Sequence, residues 1–356
     1  LEQFLHRAYL GQKRFSVEGN DMLVPMLDVA IREARVDGCR EIVMGMAHRG
    51  RLNVLAHIVG IPYKDIIREF EGGSVKKGQL TVPDPGTGDV KYHHGASGTY
   101  RVPDGDEVRV TLAPNPSHLE FVNPVVEGMT RIFQFDGTGR DVSQDTQAVI
   151  PLLIHGDAAF AAEGVVAETL NLAKLEGYST GGTIHLIVNN QIGFTTRPDE
   201  ARSTHHASDL AKGYDIPIIR VNADEPEACV SAMRTALAYR KKYHSDIVLD
   251  LIGYRRHGHN EGDEPAYTQP VLYDRIDEHP TVRTQWKERL QESGVVDEDQ
   301  ARSMADEIAD ELRTAQDSIR EEGPKEETEE EDEAPPAPPE PEPPEMPSPF
   351  EESTAS

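Results

Sequence analysis

A chain of 356 residues can bury a substantial core and form one large domain or two ordinary ones. Its formal charge is −27 and it has no basic stripe to neutralise phosphates, which excludes a general nucleic-acid-binding role. The two cysteines, Cys39 and Cys229, lack metal-ligand spacing, and no apolar run is long enough to span a membrane, so we expect neither a disulfide framework, a zinc site nor a membrane segment.

The first residues have no secretory pattern, and the chain begins with Leu1 rather than Met. These features predict a fragment or a processed product that resides in a reducing compartment. Apolar spacing then predicts a helix around Met22 and Ile31, followed by a strand over residues 41–46.

The first predicted strand runs directly into His48-Arg49-Gly50-Arg51, and a helical pattern follows it. Strand-to-helix turns of this kind bind ligands in open α/β sheets. Arg49 and Arg51 are therefore candidate clamps for a diphosphate or a carboxylate. The alternative is that both arginines only pair with surface acids.

Residues 71–107 are rich in Gly, Pro, Asp and Lys, which predicts a long loop. The adjacent His93 and His94 in this loop are, on spacing alone, more often ordinary surface residues than catalytic ones. A strand over 108–113 leads to a turn in which Ser117 is predicted to cap a helix, with Glu120 completing a capping box. Whether Ser117 also touches a ligand is left open by the spacing.

Residues 150–254 alternate between apolar strands and helical patterns. This alternation predicts an α/β fold with a parallel sheet and helices on both faces. The strand order cannot be derived from the sequence. The predicted strands are 150–155, 183–188, 216–222 and 247–254, and the helical patterns lie near 164–176, 204–213 and 225–243.

Two of these strands end in hard oxygen donors about thirty residues apart. Asp157 offers a carboxylate, Asn190 an amide oxygen, and Ile192 a backbone carbonyl. Mg²⁺ prefers six oxygen ligands, and three from the protein leave room for phosphate oxygens and water. The spacing therefore predicts a magnesium diphosphate site.

The predicted strand 247–254 is followed by Arg255, Arg256, His257 and His259. These imidazoles and guanidiniums can bind a carboxylate or move a proton at neutral pH. A metal site built on His257 and His259 is a competing hypothesis, and it is less favoured because Asp157 and Asn190 already form a coherent set of hard ligands.

The C-terminal third changes character twice. Residues 276–320 have amphipathic helical spacing, which predicts a helical hairpin packed on the body. Residues 321–356 contain fourteen Asp or Glu against one lysine and ten of the 25 prolines, which predicts a disordered acidic tail. We therefore divide the chain into an α/β domain (1–275), a helical extension (276–320) and the tail (321–356).

Five separated blocks in consistent order resemble the decarboxylating component of 2-oxoglutarate dehydrogenase, a thiamine-diphosphate enzyme. Gly-Asp followed by Asn-Asn at this spacing is typical of thiamine-diphosphate enzymes in general, and the other four blocks are similar to this family in particular. The blocks are MAHRGRLNVLA, KYHHG, NPSHLEFVNPVVEG, HGDAAFAAEGVVAETLNLAKLEGYSTGGTIHLIVNNQIGFTT and YRRHGHNEGDEPAYTQP.

The resemblance implies roles residue by residue. Mg²⁺ would be bound by Asp157, Asn190 and the Ile192 carbonyl. Thiamine diphosphate would be lined by Arg49, Ser117, Leu119, Asp157, Ala158, Ala159 and Asn190. The 2-oxo acid would be bound by His48, His93 and Ser117, and the catalytic set would be His48, His93 and His259. Ala158 stands where the diphosphate motif usually has a glycine.

The resemblance also implies a reaction and partners. The family decarboxylates 2-oxoglutarate and passes the succinyl group to the lipoyl group of an acyltransferase, in a complex that also contains a flavin dehydrogenase. The glutamate that activates the cofactor belongs to a pyrimidine-binding domain, to which nothing after residue 275 is similar. We therefore expect a homodimer or pairing with a separate pyrimidine-binding half, in the bacterial cytoplasm or, alternatively, the mitochondrial matrix.

Two alternatives stay open. The substrate could be 2-oxoadipate, one carbon longer, or the chain could be a non-catalytic assembly module of the same fold. A nucleotide-binding Rossmann protein is disfavoured, because no G-x-G-x-x-G turn follows the first strand of a βαβ unit.

Overall fold

The fold is built around one twisted sheet, seen in a computed structural model that describes residues 1–12, 14–71, 80–81, 92–136 and 143–322. The described strands of this sheet lie in the order β2-β3-β4-β1-β7-β8-β10-β9. Their bounds are β1 Glu41–Met46, β2 Leu80–Thr81, β3 Gly95–Arg101, β4 Glu107–Leu112, β7 Val149–Gly156, β8 Ile184–Asn189, β9 Ile218–Asn222 and β10 Ile247–Ile252. A separate antiparallel pair joins β5 Phe135–Asp136 to β6 Ser143–Gln144.

The strands from β4 to β9 pair in parallel, whereas β2 and β3 are antiparallel at one edge. The helices are α1 Glu2–Ala8, α2 Leu23–Val36, α3 Arg51–Val54 continued by a π-turn over Leu55–Val59, α4 Tyr63–Phe70, α5 Val122–Phe133, α6 Asp157–Ala162, α7 Gly164–Leu172, α8 Pro198–Ala201, α9 Pro226–Tyr243, α10 Pro270–Glu278, α11 Val282–Glu292 and α12 Glu298–Glu322. Among the described residues, 3₁₀ segments span Ala207–Tyr214 and Pro265–Tyr267. None of the helices in the described part of the chain has both the length and the apolar character needed to cross a lipid bilayer.

Successive side chains of the central strands point to opposite faces of the sheet. Both sets are buried because helices cover both faces. In β1, Ile42 and Met44 pack in the cluster that contains Met26 of α2. Val43, between them, packs instead with Val122 of α5. The predicted α/β fold with helices on both faces is therefore confirmed.

The longest strand that was not predicted is β3; the two-residue strands β2, β5 and β6 were also missed. β3 lies within the expected loop 71–107, in a glycine- and serine-rich stretch without apolar alternation. A Cβ at Gly98 would lie 1.9 Å from the carbonyl oxygen of Val59, so close backbone packing requires glycine here. The strand is paired with β4 over Ala96–Arg101 and packs closely on Val59 at Gly98. Residues 72–79 and 82–91 of the same predicted loop lie outside the described residues.

The C-terminal helices are present as predicted. On α12, Leu312 is buried and the amide of Gln316 donates to the hydroxyl of Tyr9 at 3.0 Å. Near its end, Glu322 accepts from Arg68 of α4 at 3.0 Å. Beyond Glu322, the predicted acidic tail lies outside the described residues, and the domain division at residue 275 stays a prediction.

Candidate active site

Because β1, β4, β7, β8 and β10 run in parallel, their carboxyl ends share one edge of the sheet. The site residues predicted from β1, β4, β7, β8 and β10 all follow these ends. The parallel register of β7 and β8 pairs His155 with Ile187 and Gly156 with Val188. Asp157 and Asn190 therefore leave the sheet side by side.

Asp157 is the first residue of α6 and is only 3% exposed. Burial raises the pKa of its carboxyl to about 6, and the Arg202 guanidinium and the backbone N–H of Asn190 act in the opposite direction. The Arg202 Nη1 atom lies 3.6 Å from Asp157 Oδ2. A buried carboxylate with one cation beside it is a position where additional positive charge stabilises the ionised form.

The loop after β8 folds tightly against the start of α6. Gln191 and Phe194 adopt left-handed conformations, with φ of 61° and 55°. The amide oxygen of Asn190 accepts the backbone N–H of Ile192 at 3.2 Å. A Cβ built on Gly193 would lie 2.8 Å from the Ala158 Cβ, so glycine allows this loop to contact α6. Asn190 and Ile192 are thereby held beside Asp157 and Ala158, while Ala159 is buried in α6.

The donor chemistry of this group fits a hard cation. It offers one carboxylate, one amide oxygen and one backbone carbonyl, which are oxygen ligands of the kind that Mg²⁺ prefers. In the part of the chain that the structure describes, no three His, Cys, Asp or Glu side chains converge on a metal position. The predicted set has a different composition, with a single carboxylate.

His48 and His259 come together at the same edge, around a residue that was not predicted. The Phe15 ring is 7% exposed and its centroid lies 4.1 Å from that of His48 and 5.6 Å from that of His259. The two imidazole centroids are 5.7 Å apart. Phe194, from the loop after β8, lies 5.1 Å from His259 and links the histidines to the Asp157 group.

Phe15 belongs to an N-terminal segment, residues 14–20, that crosses the edge between the β1 and β10 ends. Its carbonyl accepts the N–H of Gly50 at 3.2 Å, and the carbonyl of Glu18 accepts that of Arg256 at 3.1 Å. The segment therefore ties the two histidine-bearing loops together. The sequence signal was one aromatic residue between polar neighbours, which predicted no such role.

The two arginines after β1 have different environments. Arg49 is half-buried, and its guanidinium donates to the carbonyls of Ser16 at 2.8 Å and His259 at 2.7 Å. Arg51 is fully buried and donates to the carbonyls of Met46, His94 and Ala113. Arg51 is therefore neither a clamp nor a partner of surface acids, because its donors hold the loops after β1 and β4.

His93 lies next to the Ser117 loop, since its carbonyl accepts the N–H of Asn115 at 3.3 Å. Its neighbour Tyr92 is buried with its ring 5.0 Å from that of Phe15, which brings the His93 segment to the same edge. His94 is buried, with its Nε2 atom 3.9 Å from Glu69. Lys91 lies outside the described residues.

The predicted cap at Ser117 is wrong. The helix after β4 begins at Val122, and its N-cap Phe121 makes no side-chain capping bond. Ser117 is exposed, Leu119 is half-buried, and both lie on the loop between β4 and α5. Glu120 has a left-handed φ of 68° and binds His155 and Asn123 rather than closing a capping box. A buried partner for Glu120 outweighed the local capping preference.

A cleft of about 1380 Å³ opens beside this edge, between the segment after β8 and α10. Asn190, Ile192 and Arg202 line it, together with Arg255 and Tyr273. Of the predicted cofactor, metal and catalytic residues, only Asn190 and Ile192 are among its lining.

Comparisons with known proteins identify the family of this chain. The family model described as dehydrogenase E1 component matches residues 1–328. Proteins named 2-oxoglutarate dehydrogenase E1 component are 51% identical over 333 residues in Geobacillus sp. (strain WCH70) and 52% identical over 325 residues in Bacillus subtilis (strain 168). These alignments cover 92% and 89% of this chain but only 35% and 34% of the relatives. The chain thus spans about a third of their length, and it belongs to the dehydrogenase E1 component family.

Proposed function

We propose that this chain carries the diphosphate- and magnesium-binding half of an enzyme that decarboxylates 2-oxoglutarate and transfers the succinyl group to a lipoyl group. The observation that carries the proposal is the adjacency of Asp157, Asn190 and Ile192 at the ends of two paired parallel strands. The names of the relatives support the choice of substrate. The family depends in general on thiamine diphosphate.

The residues present fit this cofactor. Asp157, Asn190 and the Ile192 carbonyl would hold Mg²⁺, and Gly193, which has no side chain, lets the loop after β8 approach Ala158 at the start of α6. Arg49, Ser117, Leu119 and Ala159 would complete the lining. When bound, thiamine diphosphate supplies a carbanion and an electron sink for decarboxylation.

The histidines would act on the substrate. A 2-oxo acid brings a carboxylate, and its reaction develops negative charge on the keto oxygen. Imidazoles near neutral pH can bind the first and donate a proton or a hydrogen bond to the second. His48 and His259, held by Phe15, and His93, on the adjoining loop, would do so, with Ser117 as a hydroxyl donor.

The remaining two thirds of the relatives' length would supply further components of this chemistry. We propose pairing with a pyrimidine-binding half, either in a homodimer of a longer chain or from a separate subunit. The partners would be a lipoyl-bearing succinyltransferase and a flavin dehydrogenase. The relatives named above are bacterial, which favours the cytoplasm.

Calorimetric titration with magnesium and thiamine diphosphate tests the assignment, using this chain together with the pyrimidine-binding half. Asp157→Ala should remove detectable binding, because the metal loses its only carboxylate in the proposed set. Asp199→Ala is the matched control, since Asp199 lines the outer cleft and pairs with Arg197. Unaltered binding in Asp157→Ala would refute the metal assignment.

Two alternatives are tested alongside. Steady-state turnover of the same paired protein with each acid distinguishes 2-oxoglutarate from 2-oxoadipate as the substrate. A preference for the longer acid would contradict the assignment of 2-oxoglutarate. A non-catalytic assembly module would bind no cofactor even when paired. The presence of His48, Arg49, His93, Asp157, Asn190 and His259 supports an active enzyme, since a purely structural role does not require this set.

A further inference from the structure

Arg202 lies at the boundary between the Asp157 group and the cleft. It directly follows α8, and its backbone N–H donates to the carbonyl of Pro198 at 3.2 Å. Its side chain is only 10% exposed and nevertheless lines the cleft, together with Asn190 and Ile192. A cation in this position faces both the buried carboxylate and any molecule that enters the cleft.

The contact between Arg202 and Asp157 is incomplete. The closest approach, Nη1 to Oδ2, is 3.6 Å, which is an ion pair but longer than a charge-assisted hydrogen bond. The Arg49 guanidinium also attracts the Asp157 carboxylate, whereas the Asp250 carboxylate repels it. Arg202 is therefore the nearest compensating charge for a carboxylate that is buried.

Arg202 also has an unused donor. Its Nε atom is buried and has no hydrogen-bond acceptor among the described residues. A buried guanidinium N–H without an acceptor is unfavourable, because the group has lost its water without a replacement. An anionic oxygen in the cleft would satisfy it.

We infer that Arg202 is an exchangeable counter-ion: it neutralises Asp157 when no metal is bound and donates to the diphosphate when magnesium and diphosphate bind together. The inference rests on the proposed function. Two cations beside one carboxylate repel each other, so Arg202 opposes binding of Mg²⁺ alone. A diphosphate removes this conflict, because it supplies negative charge for the metal and for Arg202. The site would therefore favour the metal and the diphosphate as a pair.

The test compares two titrations of the same protein, this chain paired with the pyrimidine-binding half. The probes are magnesium chloride alone and magnesium with inorganic pyrophosphate, followed by calorimetry. Arg202→Gln should bind magnesium alone more tightly, by about threefold or more, since the competing cation is gone. It should bind magnesium pyrophosphate about tenfold more weakly, since a charge-assisted donor is lost.

The matched control is Arg197→Gln, the same change on the outer wall of the cleft, where Arg197 pairs with Asp199 and does not contact Asp157. It should alter neither affinity. Arg202→Lys keeps the positive charge and should leave the affinity for magnesium alone low. This variant keeps the inference testable if the glutamine variant does not fold, as judged by circular dichroism.

Opposite changes in the two affinities support the inference. Equal losses in both would show that Arg202 only maintains the structure, and unchanged affinities would show that it contacts neither partner; either result overturns the inference and leaves the proposed function standing. If the wild-type protein binds no magnesium pyrophosphate, the proposed function itself fails.

Discussion

Two groups of histidines in this protein look alike in sequence and differ in environment. His48 and His259 follow strand ends, are half-buried, and contact aromatic rings at the edge of the sheet. His155 and His185 lie within β7 and β8 and are almost completely buried. The first group lies on loops at the edge of the sheet, whereas the second lies inside the sheet and is bonded to buried carboxylates.

The buried group forms a continuous chain with two carboxylates. Glu120 binds His155 at 2.6 Å, His155 binds His185 at 3.0 Å, and His185 binds Asp246 at 3.2 Å. Each ring nitrogen of His155 and His185 therefore has a partner within hydrogen-bond distance, so the chain is a buried network of ionisable groups.

Proximity in sequence to a site motif does not decide whether a histidine lies at the site. His155 stands two residues before Asp157, closer in sequence than His48, His93 or His259. Its side chain nevertheless points into the layer between the sheet and α6, with its ring 4.9 Å from that of Phe160. Strand alternation sends the His155 side chain into the core, whereas His48 and His259 lie on loops beyond the strand ends.

The largest expected effect breaks the buried group. His155→Ala leaves Glu120 and His185 without their shared partner, and breaking a buried charged network costs about 3–5 kcal/mol of folding free energy. Urea unfolding followed by circular dichroism measures it. His259→Ala is the matched control at the site edge, where the loss should be about 1 kcal/mol or less. Equal losses in the two variants would remove the distinction between the groups.

A smaller effect on folding stability is expected from Glu127, whose carboxyl is buried on the same face of the sheet as His155 and His185. Burial, followed by repulsion from Asp246, raises the pKa of Glu127 from 4.5 to about 7, while Thr183, His185 and Thr180 act in the opposite direction. The folded state thus holds this proton more tightly than the unfolded state. The stability it contributes is present below about pH 4.5 and is lost as the pH rises to about 7, at up to about 1.4 kcal/mol per pH unit.

Glu127→Gln should remove that part of the pH dependence, because the amide is neutral throughout. Unfolding free energies measured in urea across this pH range, for wild type and variant, provide the check. Glu168→Gln, an exposed change on α7, should retain the wild-type profile. The prediction would be contradicted if Glu127→Gln lost stability with rising pH as steeply as the wild type does.

The smallest change in stability is expected for a substitution of Phe15, the ring that contacts the two histidines at the sheet edge. Phe15→Leu keeps a similar apolar volume and should cost less than about 1.5 kcal/mol. It removes the ring that packs on His48 and His259, so the resonances of both imidazoles should shift in NMR spectra. The exposed His118 serves as internal reference. Unchanged His48 and His259 signals would show that Phe15 does not position them.

Much of the fold followed from local patterns. Apolar runs separated by helical spacing predicted the strands β1, β4, β7, β8, β9 and β10 and the helices between them, because the 2.0 and 3.6 residue periods reflect which side chains are buried. The same patterns missed β3, whose glycines serve close backbone packing with Val59. They also misplaced the start of α5, because Glu120 binds His155 instead of capping.

The residue pattern alone indicated which functional groups follow the strand ends, namely a carboxyl and an amide at Asp157 and Asn190 and imidazoles at His48 and His259. The burial and the partners of these residues depend on tertiary contacts. Phe15 spaces two imidazoles from a segment more than thirty residues before the first of them, and Arg51 holds loops while Arg202 faces Asp157. Burial and partner choice depend on contacts between distant segments, and residue spacing carries no information about those contacts.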